Sequence, residues 1–411
     1  MTRIVLFTGK GGVGKTTIAS ATALRIAATG AKTLVMSTDP AHSLADAFDV
    51  ELRSEPIEVA HNLWAEQIDP QQRLEDNWRD IQRHAVKVLN WAGLDEVESE
   101  ELSVIPGLDE IFSLADVKRH HDEGPYAVLI VDCAPTGETL RLLSLPDIIS
   151  WYMERIFPVE RRVMGALRPV ARKVTSLPLP GDEVYDAVRS FYDRLDGVRR
   201  ILTDSEITSV RLVVNPERMV IAEAKRTFTY LNLFGYRVDA IVANRLLPDE
   251  VSDPYFERWK KIQADHLSEI DDAFSPVPIL TARLRETELI GPELLSELGD
   301  ELYGGLEPAA VLFEDDPMTI SKRGVGSAGP QNKRAADYVL ALKLPFATHD
   351  DLELSTKADE LFVKVGPYRR TIMLPRVLAS RDIVSAKLMG DRIEVAFRAG
   401  DHQEKRSHEH E

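Results

Sequence analysis

The chain opens on an apolar, largely β-branched run from Arg3 to Thr8, passes through a glycine-rich turn, and continues as an apolar helical pattern from Thr17 to Thr29. Similar runs cover Lys32 to Ser37 and Tyr126 to Val131. These runs are continuous in hydrophobicity rather than alternating, as expected of a parallel sheet covered on both faces. Val210 to Val214 and Val238 to Ala243 repeat the signal, Val277 to Leu280 reads as a last short strand, and the helix-strand alternation extends to about Phe313. The pattern predicts an α/β fold with a mostly parallel, doubly wound sheet occupying residues 1–313.

Two stretches interrupt this alternation with helical periodicity. Between Ala65 and Lys118, positions Leu74, Trp78, Ile81, Ala85 and Val88 recur at three- and four-residue steps. From Leu142 to Val174, large apolar residues such as Trp151, Ile156 and Phe157 mix with Arg155, Arg161 and Arg162, and Pro158 divides the stretch into two helices. A helical subdomain over about 63–120 and 142–200 is expected. Its apolar faces serve either the fold's own core or a surface for a hydrophobic ligand.

From Glu314 to Arg334 the hydrophobic period disappears into Asp, Pro, Gly, Ser, Gln, Asn and Lys, which predicts a linker over 314–334. Beyond it, Tyr338 to Leu344, Leu352 to Ser355, Glu360 to Val365, Tyr368 to Leu374 and Arg392 to Phe397 read as short strands between turns, hence a small all-β sandwich over 335–399. The remainder, 400–411, is polar, and its His402, His408 and His410 read as a solvated tail.

Composition narrows the function classes. The chain has 411 residues, 50 basic against 67 acidic, and a net charge of −17. That balance disfavours non-specific attraction to nucleic acid or anionic lipid, and no nucleic-acid partner is expected. A single cysteine, Cys133, excludes an intrachain disulfide framework and a zinc site built on C-x-x-C pairs. The first residues read as a strand rather than a signal peptide, and no apolar stretch is long enough to cross a bilayer, so a soluble cytoplasmic protein is expected.

The chemistry concentrates in Gly9-Lys10-Gly11-Gly12-Val13-Gly14-Lys15-Thr16, which fits G-x-x-x-x-G-K-[ST] between a strand and a helix. Glycines let successive backbone N–H groups turn toward phosphates, and the helix N-terminus adds partial positive charge. Lys15 would reach the β and γ phosphates of ATP and the Thr16 hydroxyl would ligate Mg²⁺, with Thr17 completing the cradle. Asp132, at the end of the third apolar run, suits a carboxylate holding Mg²⁺ through water. Asp39, before Pro40 at a strand-to-helix turn, reads as a helix cap on residue type alone.

The additional lysine in Gly-Lys-Gly-Gly-Val-Gly-Lys-Thr-Thr resembles the deviant Walker A loop of dimeric ATPases. The resemblance implies that Lys10 crosses a homodimer interface to stabilise phosphate charge in the neighbouring subunit; by residue type it is otherwise a solvated loop lysine. Ser37-Thr38-Asp39-Pro40-Ala41-His42-Ser43-Leu44 and Val131-Asp132-Cys133-Ala134-Pro135-Thr136-Gly137-Glu138-Thr139 are similar to the two switch segments of the arsenite-pump ATPases and of their relatives that target tail-anchored membrane proteins. That likeness implies that Asp39 orients or deprotonates the attacking water and sits near the metal through water. Val213-Val214-Asn215-Pro216-Glu217-Arg218 and Val242-Ala243-Asn244-Arg245 resemble the segments framing the nucleoside. They imply that Asn215, Pro216, Glu217 and Asn244 frame the nucleoside, Glu217 toward the ribose or the partner subunit and Asn244 at the adenine edge, against an ordinary loop-structuring role.

The resemblance covers about Met1 to Leu312 and implies an ATP-hydrolysing switch with a hydrophobic polypeptide client and a membrane partner. A pump-driving subunit and a scaffold with structural nucleotide are the alternatives. One cysteine does not supply the several thiolates of arsenite-stimulated members, and the zinc clamp of the eukaryotic targeting factors is absent. Leu342-Lys343-Leu344-Pro345-Phe346, Glu360-Leu361-Phe362-Val363 and Gly390-Asp391-Arg392-Ile393-Glu394-Val395 resemble an α-crystallin domain, implying a client-binding module or a passive sandwich.

Overall fold

The computed structural model describes residues 2–39, 43–68, 108–133, 182–322, 338–357 and 359–399. An eight-stranded sheet has the order β3-β4-β2-β5-β1-β6-β7-β8. Its strands are β1 (Arg3–Thr8), β2 (Thr33–Ser37), β3 (Ile57–Ala60), β4 (Leu63–Gln67), β5 (Val128–Asp132), β6 (Thr208–Val214), β7 (Val238–Leu246) and β8 (Ile279–Arg283). All neighbours pair in parallel except β3 with β4. Strands β2, β5 and β6 are buried at every position, which is why their sequences are dominated by apolar residues; the charged exception inside β6, Arg211, is paired with Asp239 of β7. The chain leaves β1 toward β2 on one side and later returns to β6 on the other. The carboxyl end of β1 is therefore a switch point, where doubly wound sheets open a crevice.

The helices are α1 (Lys15–Ala27), α2 (Ser43–Phe48), α3 (Leu108–Glu123), α4 (Asp182–Thr203), α5 (Arg218–Phe234), α6 (Pro254–Phe274) and α7 (Pro292–Tyr303). Helix α1 is rich in alanine and almost wholly buried, and α7 lies close against it. A side-chain carbon on Gly299 would come within 2.7 Å of the Ala21 carbonyl oxygen, so only glycine allows that approach. Among the described residues, no helix is long and apolar enough to cross a membrane.

Two expectations change. The helical reading from Ala65 begins too early, because Leu63–Gln67 is strand β4, joined to β3 by a turn in which Asn62 has φ 62°. A short apolar run has no decisive period, and the edge of the neighbouring strand β2 decides it. Of the expected helical subdomain, α3 and α4 are described; Leu74 to Val88 and Leu142 to Val174 lie outside the described residues. The expected linker contains strand β9 (Met318–Lys322), exposed at most positions and recognisable only by its pairing with the next strand.

The second β unit contains β10 (Tyr338–Lys343), β11 (Leu352–Lys357), β12 (Glu360–Val365), β13 (Tyr368–Met373), a short helix α8 (Arg376–Ala379), β14 (Arg381–Met389) and β15 (Arg392–Ala399). They form antiparallel sheets β14-β15-β10-β9 and β11-β12-β13 around Leu340, Leu342, Leu361, Val363, Ile393 and Phe397. Strand β14 lacks an apolar run because it is an edge strand with few buried positions. This unit sits on the carboxyl half of α5. There the Tyr368 ring packs against Tyr230, tilted by 51° with centroids 4.4 Å apart, and Arg370 Nη1 donates to the Leu233 carbonyl at 2.6 Å. That contact satisfies one of the carbonyls a helix end leaves unpaired.

Candidate functional site

Strand β1 delivers the chain into the glycine loop at the crevice. A side-chain carbon on Gly9 would meet the Val213 carbonyl oxygen at 2.4 Å, and one on Gly14, at φ 92°, would meet Asn244 Nδ2 at 2.4 Å. Any other residue at Gly9 would push the loop off the β6 backbone, and one at Gly14 would displace the Asn244 amide and strain a positive φ. Gly14 is the N-cap of α1 and no side chain caps it, so the first N–H groups of the helix face the crevice. Lys15 is buried, with Nζ 3.5 Å from the Lys10 carbonyl oxygen.

Thr16 Oγ1 donates to Asp132 Oδ2 at 2.6 Å, and Ser37 Oγ donates to the same oxygen at 3.3 Å. Asp132 is fully buried, and its Oδ1 has no hydrogen-bond partner among the described residues. Burial pushes its carboxyl up to about 6, partly opposed by the Thr16 hydrogen bond and the Lys15 charge. A hydroxyl beside a carboxylate with one unmet oxygen is the hard oxygen donor set that suits a small divalent cation. Asp39 follows β2; its N–H donates to Ser37 Oγ at 3.2 Å. Cys133 is buried, and its thiol is pushed up to about 12 by burial and then by the neighbouring Asp132.

A cavity of about 690 Å³ collects Gly12, Gly14, Lys15, Thr16, Thr17 and Asp39 on one side, with Asn244 beside them. Gly11 and Lys10 lie on the exposed shoulder of the loop, where Lys10 Nζ stands 3.7 Å from Glu223 on α5. Val13 is buried beneath the loop. Asn215 and Pro216 are buried at the end of β6, and Glu217 is exposed just before α5, its N–H donating to the Asn215 carbonyl at 2.7 Å. None of these three lines the cavity.

Asn244, expected at the adenine edge or in a loop-structuring role, makes loop contacts. Its Nδ2 donates to the Val13 carbonyl at 2.8 Å and its Oδ1 accepts from the Arg245 N–H at 2.9 Å. The amide nitrogen thus braces the glycine loop, while the oxygen fixes the side chain to its own strand. The opposite wall, which sequence reasoning missed, is Arg245, Arg283 and the loop Leu284 to Ile290 after β8, tied to α2 by the Gly291 N–H on the Ala47 carbonyl at 2.9 Å. Leu284 and Ile290 are large apolar side chains left 44% and 47% exposed at this cavity, a signal visible only after folding.

A glycine loop and helix N-terminus, a buried lysine and a hydroxyl-carboxylate pair at the carboxyl edge of a parallel sheet define a P-loop nucleotide hydrolase. Residues 2–304 match the model of the anion-transporting ATPase family, and residues 335–397 match that of the HSP20-like domain found in ArsA. The chain belongs to the anion-transporting ATPase family and is an ATP-hydrolysing enzyme with an HSP20-like β unit. It is similar to the "Putative arsenical pump-driving ATPase 1" of Aquifex aeolicus, at 39% identity over 95% of this chain and 98% of that one. It also resembles the "Putative arsenical pump-driving ATPase" of Chlorobaculum tepidum, at 38% over 91% of this chain and 90% of that one. ATPase GET3B of Arabidopsis thaliana is 31% identical over 72% of this chain and 77% of that protein.

Proposed function

We propose that the chain is a magnesium-dependent ATP switch working as a homodimer, whose opening and closing governs binding of a hydrophobic polypeptide client. The observation that carries the nucleotide half is the Thr16–Asp132 contact at 2.6 Å beside the α1 N-terminus and the buried Lys15. Phosphate oxygens would rest on the loop N–H groups from Gly9 to Gly14 and on Lys15. Thr16 directly, and Asp132 and Asp39 through water, would hold Mg²⁺. That ion supplies charge neutralisation across the β and γ phosphates.

Asp39 would orient the attacking water and accept its proton as the oxygen attacks the γ-phosphorus. The bond from that phosphorus to the bridging oxygen breaks, its electron pair stays on the β-phosphate, and ADP and phosphate leave. The apolar faces of Leu284 and Ile290 suit the base, with Asn244 at the same cavity.

Lys10 supports the dimer reading. It stands outside the cavity, partly exposed and held by Glu223, where it is of no direct use to its own phosphates and is available to a neighbouring copy. Likeness to ATPase GET3B supports a polypeptide client, with a membrane partner as the receiving side. The names of the bacterial relatives favour a second reading, a pump-driving subunit; the chain's single cysteine argues against a metalloid as its trigger. Crosslinking a labelled hydrophobic peptide in ATP and ADP states tests the client switch. Capture that ignores the nucleotide would count against it.

A further inference from the structure

The peptide of Asp39 is held from two sides. Its N–H donates to Ser37 Oγ at 3.2 Å, and its carbonyl accepts from Gln67 Nε2 at 2.9 Å. Gln67 is the last residue of β4, directly opposite Ser37 in the parallel pairing, and only 4% exposed. Its own Oε1 is buried with no hydrogen-bond partner among the described residues. A buried amide with an unmet oxygen is a poor packing element, and an apolar side chain of the same size would suit the fold better. What the residue supplies in return is the hydrogen bond to Asp39.

Its mount is rigid. The Gln67 N–H donates to the Arg53 carbonyl at 3.0 Å. The preceding residue, Glu66, is fully buried, 2.6 Å from His120 Nε2 and 3.4 Å from Arg119 on the closing turns of α3. Ser37, which holds the other side of the Asp39 peptide, also donates to Asp132. The carboxylate at the attacking-water position and the carboxylate at the metal position are thus referred to one strand edge.

We propose that Gln67 is a positioning residue for ATP hydrolysis, its side-chain amide fixing the Asp39 peptide so that the carboxylate is aimed at the attacking water. The proposal rests on the role assigned above to Asp39. Misplacing a reacting group by about 1 Å costs on the order of a hundredfold in rate, whereas nucleotide binding does not depend on that aim.

Gln67→Leu removes the donor at similar volume, and Gln67→Asn keeps an amide too short to reach. Both are expected to lower kcat about ten- to a hundredfold, with the calorimetric affinity for ATP in magnesium changed by less than about twofold. In the Asp39→Asn background Gln67→Leu should add no further loss, because the group it aims has gone. Wild-type kcat in both Gln67 variants overturns the proposal. So does a loss that multiplies onto that of Asp39→Asn, or an affinity loss that parallels kcat. Should Asp39→Asn itself keep full activity, the role of Asp39 fails, and Gln67 fails with it; a dead Asp39→Asn beside an active Gln67→Leu rejects Gln67 alone.

Discussion

Thr16 Oγ1 lies 2.6 Å from Asp132 Oδ2, joining the first turn of α1 to the end of β5 across the floor of the nucleotide cavity. Asp132 is buried, its Oδ1 has no partner among the described residues, and burial raises its carboxyl to about 6. On the proposed reading, binding of magnesium and nucleotide would select the ionised form.

That linkage has a sign. The folded protein binds the Asp132 proton more tightly than the unfolded chain. This group therefore favours folding below its ordinary carboxylate range, and the contribution is lost as pH rises through about 6. Magnesium and ATP together should raise the unfolding temperature more at about pH 7.5 than at about pH 5, because protons compete at the lower pH. Asp132→Asn should remove most of that difference in thermal-melt experiments. An equal shift at both pH values would contradict the assignment.

The two lysines of the loop should separate. Lys15→Ala is expected to abolish ATP binding by calorimetry, since Lys15 is buried in the cavity wall. Lys10→Ala should keep binding and lose most hydrolysis. If Lys10 acts in a neighbouring copy, mixing inactive Lys10→Ala and Asp39→Asn proteins restores roughly a quarter of wild-type activity, because mixed dimers carry one intact composite site. A mixture that stays inactive would place Lys10 in its own subunit.

Cys133 should be inert. Burial and the adjacent Asp132 push its thiol up to about 12, so the reactive thiolate is scarce at neutral pH. Ellman's reagent should detect no thiol in the native protein and one per chain in denaturant. Rapid labelling of the native protein would show that the switch segment opens.

The β unit should depend on Arg370. Its guanidinium meets the carbonyl of Leu233 near the end of α5 at 2.6 Å. Arg370→Ala leaves that carbonyl unmet and is expected to cost about 2 kcal/mol. A lower urea midpoint, with earlier proteolysis between the two units, is the expected readout. An unchanged midpoint would make the contact incidental.

The parts of this protein that could be read from residues alone are those whose physics is local. Gly9 to Thr16 must form a phosphate-sized cradle wherever it joins a strand to a helix, because the groups that build it are contiguous backbone. The runs of β1, β2, β5, β6 and β7 announce themselves because burial on both faces favours apolar residues on both, broken inside β6 and β7 by the Arg211–Asp239 pair. Where burial is one-sided or slight, as in β9 and β14, the residues bear no such mark.

Strand order determined the rest. Placing β4 beside β2 brings Gln67 to Asp39, separated by 28 positions in the chain. Setting β7 beside β6 turns Asn244 under the glycine loop, and β8 beside β7 raises the wall from Arg283 to Ile290. Contacts of that kind depend on which edge a strand joins and in what register. Both are settled by the packing of the whole sheet, whereas the phosphate cradle needs only its own eight residues.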